Sequence, residues 1–209
     1  EGGKPYETQD FSVVNPKYFG FADRRIAHLV DAGIVPAIVG SWARPDCDGL
    51  RTAGVDGMRR HWRNLIARYG AYPTVWIIAG EWTPPQLSSW TEVGKYVQAL
   101  DPYHHPVTIH AGVVDFIDFM LVGGSHDAAE ATTPGVLAGL TSTYAISPPK
   151  PVLCGETCYE GHMQQGFQYI QRHIFWMYML NGAAGHTYGA AGVWHASVDG
   201  DPGIANVYD

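Results

Sequence analysis

Short apolar runs rich in Val and Ile alternate along the chain with longer amphipathic stretches, the pattern of βα units that feed a parallel sheet. Residues 34–39, 74–79, 106–109, 119–122, 151–154 and 184–188 read as strands. Most are continuously apolar, as strands covered on both faces should be. Helical periodicity runs over residues 18–32, with Phe21, Ile26, Leu29 and Val30 inward, and over 58–69, 88–100 and 163–181. Gly33, Gly70 and Gly182 stand where a left-handed C-terminal cap is expected, and Asp101-Pro102 stops the third helix. The last helix is apolar around much of its girth and is expected to be deeply buried.

Strand starts fall mostly 32 to 40 residues apart, the stride of a repeated βα unit. Only nine residues, 110–118, separate the third and fourth runs. That is too short for a helical crossover, so either this unit is degenerate or one of its strands is misread. Six strands are visible where a closed (β/α)₈ barrel needs eight and ~250 residues.

Composition narrows the picture. With 46% hydrophobic and 16% charged residues, disorder as the main state is excluded and a single domain over residues 1–209 is expected. Thirteen Lys and Arg against 20 Asp and Glu leave a net charge of −7 and no basic face, which argues against nucleic acid as a partner. The longest apolar stretches, 34–40 and 75–80, fall far short of the ~20 residues of a membrane span, so a soluble protein is expected. Cys47, Cys154 and Cys158 cannot all pair and lack the spacing of a zinc site, so they read as free thiols, with a local Cys154–Cys158 disulfide the alternative. The chain shows no initiator Met, signal peptide or targeting tail, and a fragment or processed form is expected.

The strongest chemical signal is a pair of glutamates, Glu81 and Glu156, each just past the end of a buried strand and each preceded by glycine. In a (β/α) barrel that rim carries the active site, so both carboxylates are expected to face one cleft. Two such acids suit glycosidic bond cleavage, one protonating the leaving oxygen and one attacking the anomeric carbon. The bland alternative is helix capping or pairing with Arg. Around them stand Trp42, Trp82, Tyr159, Tyr188 and Trp194, whose rings can stack on sugar C–H faces; Trp42 and Tyr188 are the better candidates. His110, His126 and His186, each near a strand end, are expected to bond substrate hydroxyls or the carboxylates. Metal binding is the lesser reading, since no HxH or HExxH spacing occurs. His104-His105 reads as loop surface, and Glu160 as a first-turn residue of the last helix. No P-loop, GxGxxG or GxSxG motif is present, and no cofactor is implied.

Several segments resemble the apiosidase-like glycoside hydrolases: Asp23-Arg24-Arg25-Ile26, Gly33-Ile34-Val35-Pro36, and the stretch from Arg68 to Trp76. So do His105-Pro106-Val107-Thr108-Ile109-His110, Gly155-Glu156-Thr157-Cys158-Tyr159-Glu160-Gly161, and the run from Asn181 to Gly189 followed by Trp194. The similarity extends from about Tyr18 to Trp194. It implies an α/β, (β/α)₈ TIM-barrel type fold seen from its third strand onward, an incomplete barrel forming a partial catalytic domain. It implies a glycosidase of the retaining clan acting on plant or microbial polysaccharide or oligosaccharide, secreted or periplasmic, with Glu81 ending the fourth strand as acid/base and Glu156 ending the seventh as nucleophile. Gly80 stands where the wider clan usually has Asn, and Glu81 where apiosidase-like members often have Asp. The alternatives are a sugar-binding barrel without turnover and, less favoured, a metal-dependent hydrolase using His110, His126 and His186. A barrel short of two strands would expose sheet edges, so the isolated chain is expected to associate and to be inactive.

Overall fold

The computed structural model describes residues 2–44, 47–110, 112–123 and 125–190. The chain divides into two units, Glu1–Asp118 and Phe119–Asp209, and each contains a three-stranded parallel sheet.

In the first unit, α1 (Pro16–Asp31) begins where the Asn15 side chain accepts the backbone N–H groups of Lys17 and Tyr18 and Pro16 presets the first turn. It ends before Gly33 at φ +77°. Only Phe19 of this helix is buried. The four residues expected inward are half-buried, and Phe21 is covered by the Arg25 guanidinium 4.2 Å from its ring centroid. Next come β1 (Ala37–Val39), α2 (Gly49–Tyr69), β2 (Val75–Ile77), a 3₁₀ turn at Pro84–Gln86, α3 (Leu87–Leu100) and β3 (Val107–Thr108), with sheet order β1-β2-β3. The second helix starts nine residues before its periodicity does, because Asp48 caps an added segment joined through Gly54 at φ 65°, ψ −175°. Gly70 is right-handed, with φ −65°, unlike the cap expected of it. Ile34 and Val35 fall in the loop before β1, and they and Val39 are exposed instead of covered on both faces; among the described residues β1 is an edge strand.

Three fully buried tryptophans, Trp62 of α2, Trp76 of β2 and Trp90 of α3, fill the space between helices and sheet. Trp62 and Trp76 meet edge to face at 5.7 Å. The Trp76 indole N–H donates to Asp101 Oδ2 at 2.9 Å, and the same carboxylate accepts the backbone N–H groups of Tyr103 and His105 and faces His105 Nδ1 at 2.8 Å. Burial pushes this carboxyl up, but the four hydrogen bonds outweigh it and hold it below the usual range. His105, expected on a loop surface, is therefore structural; its Nε2 also lies 3.0 Å from the Tyr72 carbonyl.

The second unit runs β4 (Met120–Gly123), α4 (Ala128–Ala131), α5 (Pro134–Tyr144), β5 (Val152–Glu156), a 3₁₀ turn at His162–Gln164, α6 (Gln168–Leu180) and β6 (Gly185–His186), with sheet order β4-β5-β6. The helices α4 and α5 have no counterpart in the sequence reading, because α5 carries Gly135 and Gly139 and buries only Leu140 and Thr143. The short step before β4 is resolved by topology. β3 and β4 both exist but belong to different sheets, and the segment between them returns to β3 through Asp118, whose carboxylate accepts the Val107 N–H and whose N–H donates to the Val107 carbonyl.

α6 starts at Gln168 rather than near 163, since Gly161, Met163, Gln164 and Gly166 all have positive φ. It is not deeply buried. Only Gln171, Ile174 and Tyr178 are, while Tyr169, Trp176 and Leu180 are 79%, 52% and 77% exposed, because α5 and β6 cover one face only. Cys154 and Cys158 are buried free thiols, and Cys47 is an exposed one. Among the described residues no helix is long and apolar enough to cross a membrane.

The Asp101 cluster makes a checkable prediction. Asp101→Asn should lower stability at pH 7 by about 2–3 kcal/mol, since an amide puts donors where donors already point. A carboxyl whose folded pKa is depressed stabilises the fold above its unfolded value near ~3.9, and that contribution is lost as pH falls through the folded value. The gap between variant and wild type in thermal or denaturant melts should therefore be full at pH 6–7 and close below about pH 4.

Candidate active site

The first unit places its candidate residues at the C-terminal ends of β1, β2 and β3. The pairing that aligns Ala37 with Val75 continues without slippage to Trp42 beside Gly80. Backbone bonds from Gly80 N–H to the Ser41 carbonyl and from Ala43 N–H to the Gly80 carbonyl lock the two ends. Ile78, Ala79 and Gly80 are all buried, and Glu81 is the first exposed residue past β2. Glu81 is itself left-handed, at φ 48°, a conformation that costs a non-glycine residue about 1–2 kcal/mol and concentrates at functional positions.

The Trp42 ring lies over Gly80 so closely that a Cβ there would stand 2.0 Å from Cζ3. That is the physical reason no Asn occupies position 80. Trp42 also meets the His110 ring at 5.3 Å, and the Trp82 indole N–H donates to the His110 carbonyl at 3.1 Å, while its ring covers Gly112. Trp42, Trp82 and His110 are thus brought together next to Glu81. Arg44, which the sequence reading did not single out, places its Nε 3.3 Å from Glu81 Oε2. Its signal was its position two residues past Trp42 on the same strand-end loop. With the side chains 58% and 42% exposed, this pair adds little stability.

The second unit positions Glu156 by a different device. Met120, Leu121 and Val122 pair with Val152, Leu153 and Cys154 in turn, but Gly123 pairs with Glu156, so Gly155 is an extra residue and β5 is bulged. Cys154 faces α6: burial pushes its thiol up to about 12, and Tyr178 lies within hydrogen-bonding reach. Unbroken alternation would send Glu156 the same way; the bulge turns it to the other face. The bulge residue carries no side chain because a Cβ would stand 2.9 Å from Leu121 Cβ.

On that other face Glu156 Oε1 lies 3.2 Å from His126 Nε2 and accepts the Tyr159 hydroxyl at 2.7 Å. The His126 and Tyr159 rings meet edge to face at 4.6 Å, with His162 5.1 Å from His126. His126 is carried there by its neighbour: the Ser125 carbonyl accepts the Cys158 N–H and the Thr157 hydroxyl, tying the loop after β4 to the loop after β5. The buried Gln171 amide of α6 holds that second loop by donating to the Cys158 and Gly166 carbonyls.

The remaining candidates lie elsewhere. The His186 ring packs against Phe175 and Tyr178 of α6, 5.7 and 6.3 Å away, because β6 pairs it with the helix-facing Cys154. Burial holds its imidazole below the ordinary value. The Tyr188 hydroxyl bonds the Glu160 carboxylate, which, with burial, raises the phenol to about 12. Glu160 therefore serves Tyr188 and the bridge to Ala190, not the first turn of α6. Trp194 lies outside the described residues. Among the described residues no group of three or more His, Cys, Asp or Glu side chains is arranged to hold a metal ion.

The parallel α/β architecture is shared with solved glycoside hydrolases. The chain is similar to a protein described as a glycoside hydrolase, with a TM-score of 0.77 at 21% identity over 97% of this chain and 52% of that one. It is also similar to a glycoside hydrolase family 5 protein from Bacteroides vulgatus (TM-score 0.73, 19% identity, 93% of this chain and 49% of that one). An endo-1,4-beta-D-mannanase from Thermotoga petrophila matches with a TM-score of 0.68 at 14% identity, over 91% of this chain and 73% of that one. The chain spans about half the length of the first two. No curated protein matches it. The model of the apiosidase-like catalytic domain matches residues 1–207, and the chain belongs to that family.

The left-handed backbone at position 81 can be tested apart from chemistry. Glu81→Gly should hold or raise the melting temperature, while β-branched Glu81→Val should lower stability by about 1–2 kcal/mol relative to wild type. The opposite order in calorimetry would show that position 81 is not under backbone strain.

Proposed function

We propose that the protein is a glycosidase that hydrolyses glycosidic bonds of plant or microbial polysaccharide or oligosaccharide with retention of anomeric configuration, and that its two sheets are parts of a (β/α)₈-type barrel. The observation that carries this reading is the ordered carboxylate of Glu156 at the end of a parallel strand, turned out of the helix layer by a bulge and gripped at one oxygen by His126 and Tyr159. A nucleophile needs such fixed aim, since a misplacement of ~1 Å costs roughly 100-fold in rate. Glu81, on a left-handed strand end between Trp42 and Trp82, supplies the second acid. Family membership supports the reaction class.

In this mechanism Glu156 attacks the anomeric carbon as its bond to the leaving oxygen breaks, and Glu81 gives its proton to that oxygen. Water then displaces Glu156 from the glycosyl-enzyme, and Glu81 takes the proton that water releases. The Trp42 ring offers an apolar face for a sugar ring. Secretion or a periplasmic location belongs to the same reading, because polymeric glycans lie outside the cytoplasm.

The test uses the full-length protein with aryl and alkyl glycosides. Glu156→Gln should abolish turnover of every substrate. Glu81→Gln should retain far more activity on nitrophenyl glycosides than on poor leaving groups, and azide should rescue it to a glycosyl azide of retained configuration, read by NMR. Near-normal rates in Glu156→Gln would remove it from the mechanism. Sugar binding without turnover in the wild type would leave a carbohydrate-binding protein in place of an enzyme.

A further inference from the structure

Gly189 lies 33 positions beyond Glu156 and has no side chain of its own to offer a substrate. A Cβ on it would stand 2.2 Å from Cδ1, 2.4 Å from Cε1 and 2.8 Å from Cγ of Tyr159. The Tyr159 ring thus occupies the space that a side chain at residue 189 would fill. Backbone conformation does not explain the glycine, since its φ lies outside the left-handed region, in contrast to Gly182 at φ +95°. Space for the ring explains it.

The seat is fixed from both sides. The Glu160 N–H donates to the Gly189 carbonyl at 2.9 Å, and Glu160 pairs with Ala190 as a parallel bridge, so the segment carrying Tyr159 and the segment carrying Gly189 hold each other. On its other side the Tyr159 ring meets His126, and its hydroxyl reaches Glu156 Oε1. A side chain at 189 must push the ring off its seat, and the hydroxyl, 2.7 Å from the carboxylate, moves with it. We infer that Gly189 is a positioning residue, which aims Glu156 by giving the Tyr159 ring a seat from which its hydroxyl reaches the carboxylate.

This inference rests on the reading of Glu156 as the nucleophile, and the experiment separates the two. In the full-length protein, kcat and KM are measured for wild type, Tyr159→Phe, Gly189→Ala and the double variant, with Glu156→Ala as control. The substrate is the 4-nitrophenyl glycoside that the wild type cleaves fastest. A hydrogen bond to a charged group supports an expected fall in kcat of about 10- to 100-fold for each single variant, with KM little changed. The double variant should be no slower than Gly189→Ala alone, because the hydroxyl bond can be lost only once. Wild-type kcat in Gly189→Ala, or single-variant losses that multiply in the double variant, overturns the inference. Loss of fold stability alone would act equally in both backgrounds, and thermal melts register it. Should Gly189→Ala fail to fold, Tyr159→Ala with Gly189→Ala empties the space of the ring. Folding of that pair with the activity of Tyr159→Ala alone supports the inference, and a pair that still fails to fold overturns it. A fully active Glu156→Ala would defeat the nucleophile reading itself.

Discussion

A parallel strand with one face under helices constrains where each of the two glutamates can stand. A side chain on the helix face must be apolar or hydrogen-bonded, as Trp76, Ile78, Val152 and Cys154 are, and an unpaired carboxylate cannot share their layer. Glu81 meets the condition as the first exposed residue past β2, at the end of a register that runs unbroken from Ala37 opposite Val75 to Trp42 opposite Gly80. Glu156 has the wrong parity and meets it through the bulge at Gly155. Each strand end required a glycine, Gly80 under the Trp42 ring and Gly155 at the bulge, and the first also carries a left-handed backbone at Glu81.

Beyond the strands, the loops are held by rings seated on glycines. Trp42 covers Gly80, Trp82 covers Gly112, and Tyr159 covers Gly189. In each case an aromatic residue past one strand lies against the backbone past the next, so neighbouring strand ends are joined by ring contacts as well as by hydrogen bonds. Such contacts exclude water and fix ring planes at low entropic cost, because an aromatic side chain has few rotamers to lose. They also explain why polar ring atoms, such as the Trp82 N–H and the Tyr159 hydroxyl, reach defined acceptors. The price is intolerance: none of these glycines can gain a methyl group unless a ring moves.

Several groups with the chemistry of a site turn out to serve the scaffold. Asp101 and His105 knot Trp76 to the loop before β3, His186 fills space against α6, and Glu160 holds Tyr188. What separates them from His126 and Tyr159 is direction. The latter converge on one carboxylate oxygen, whereas Asp101 and His105 satisfy partners that burial would otherwise leave unpaired, His186 packs through ring contacts, and the Glu160–Tyr188 bond is exposed.

The sequence by itself determined the alternation of strands and helices, the parallel class, the family, and the two glutamates at strand ends. All of these are carried by local periodicity, by glycine and proline punctuation, or by contiguous motifs. It placed Trp42, Trp82, His110, His126 and Tyr159 at strand ends correctly, because a strand end is a one-dimensional feature. It overstated the burial of α1, β1 and α6, since apolar character says that a face can be covered, and only neighbours decide whether it is. It missed α5, whose glycines blur the period, and the division into two sheets at the step before β4. Only the tertiary structure decided which way each side chain faces. A single extra residue at Gly155 reverses Glu156, the pairing of His186 with Cys154 sends that imidazole into the helix layer, and Gly189 acquires its role through a ring 30 residues away in sequence. Direction and seating depend on register between strands, which no local pattern in the chain encodes.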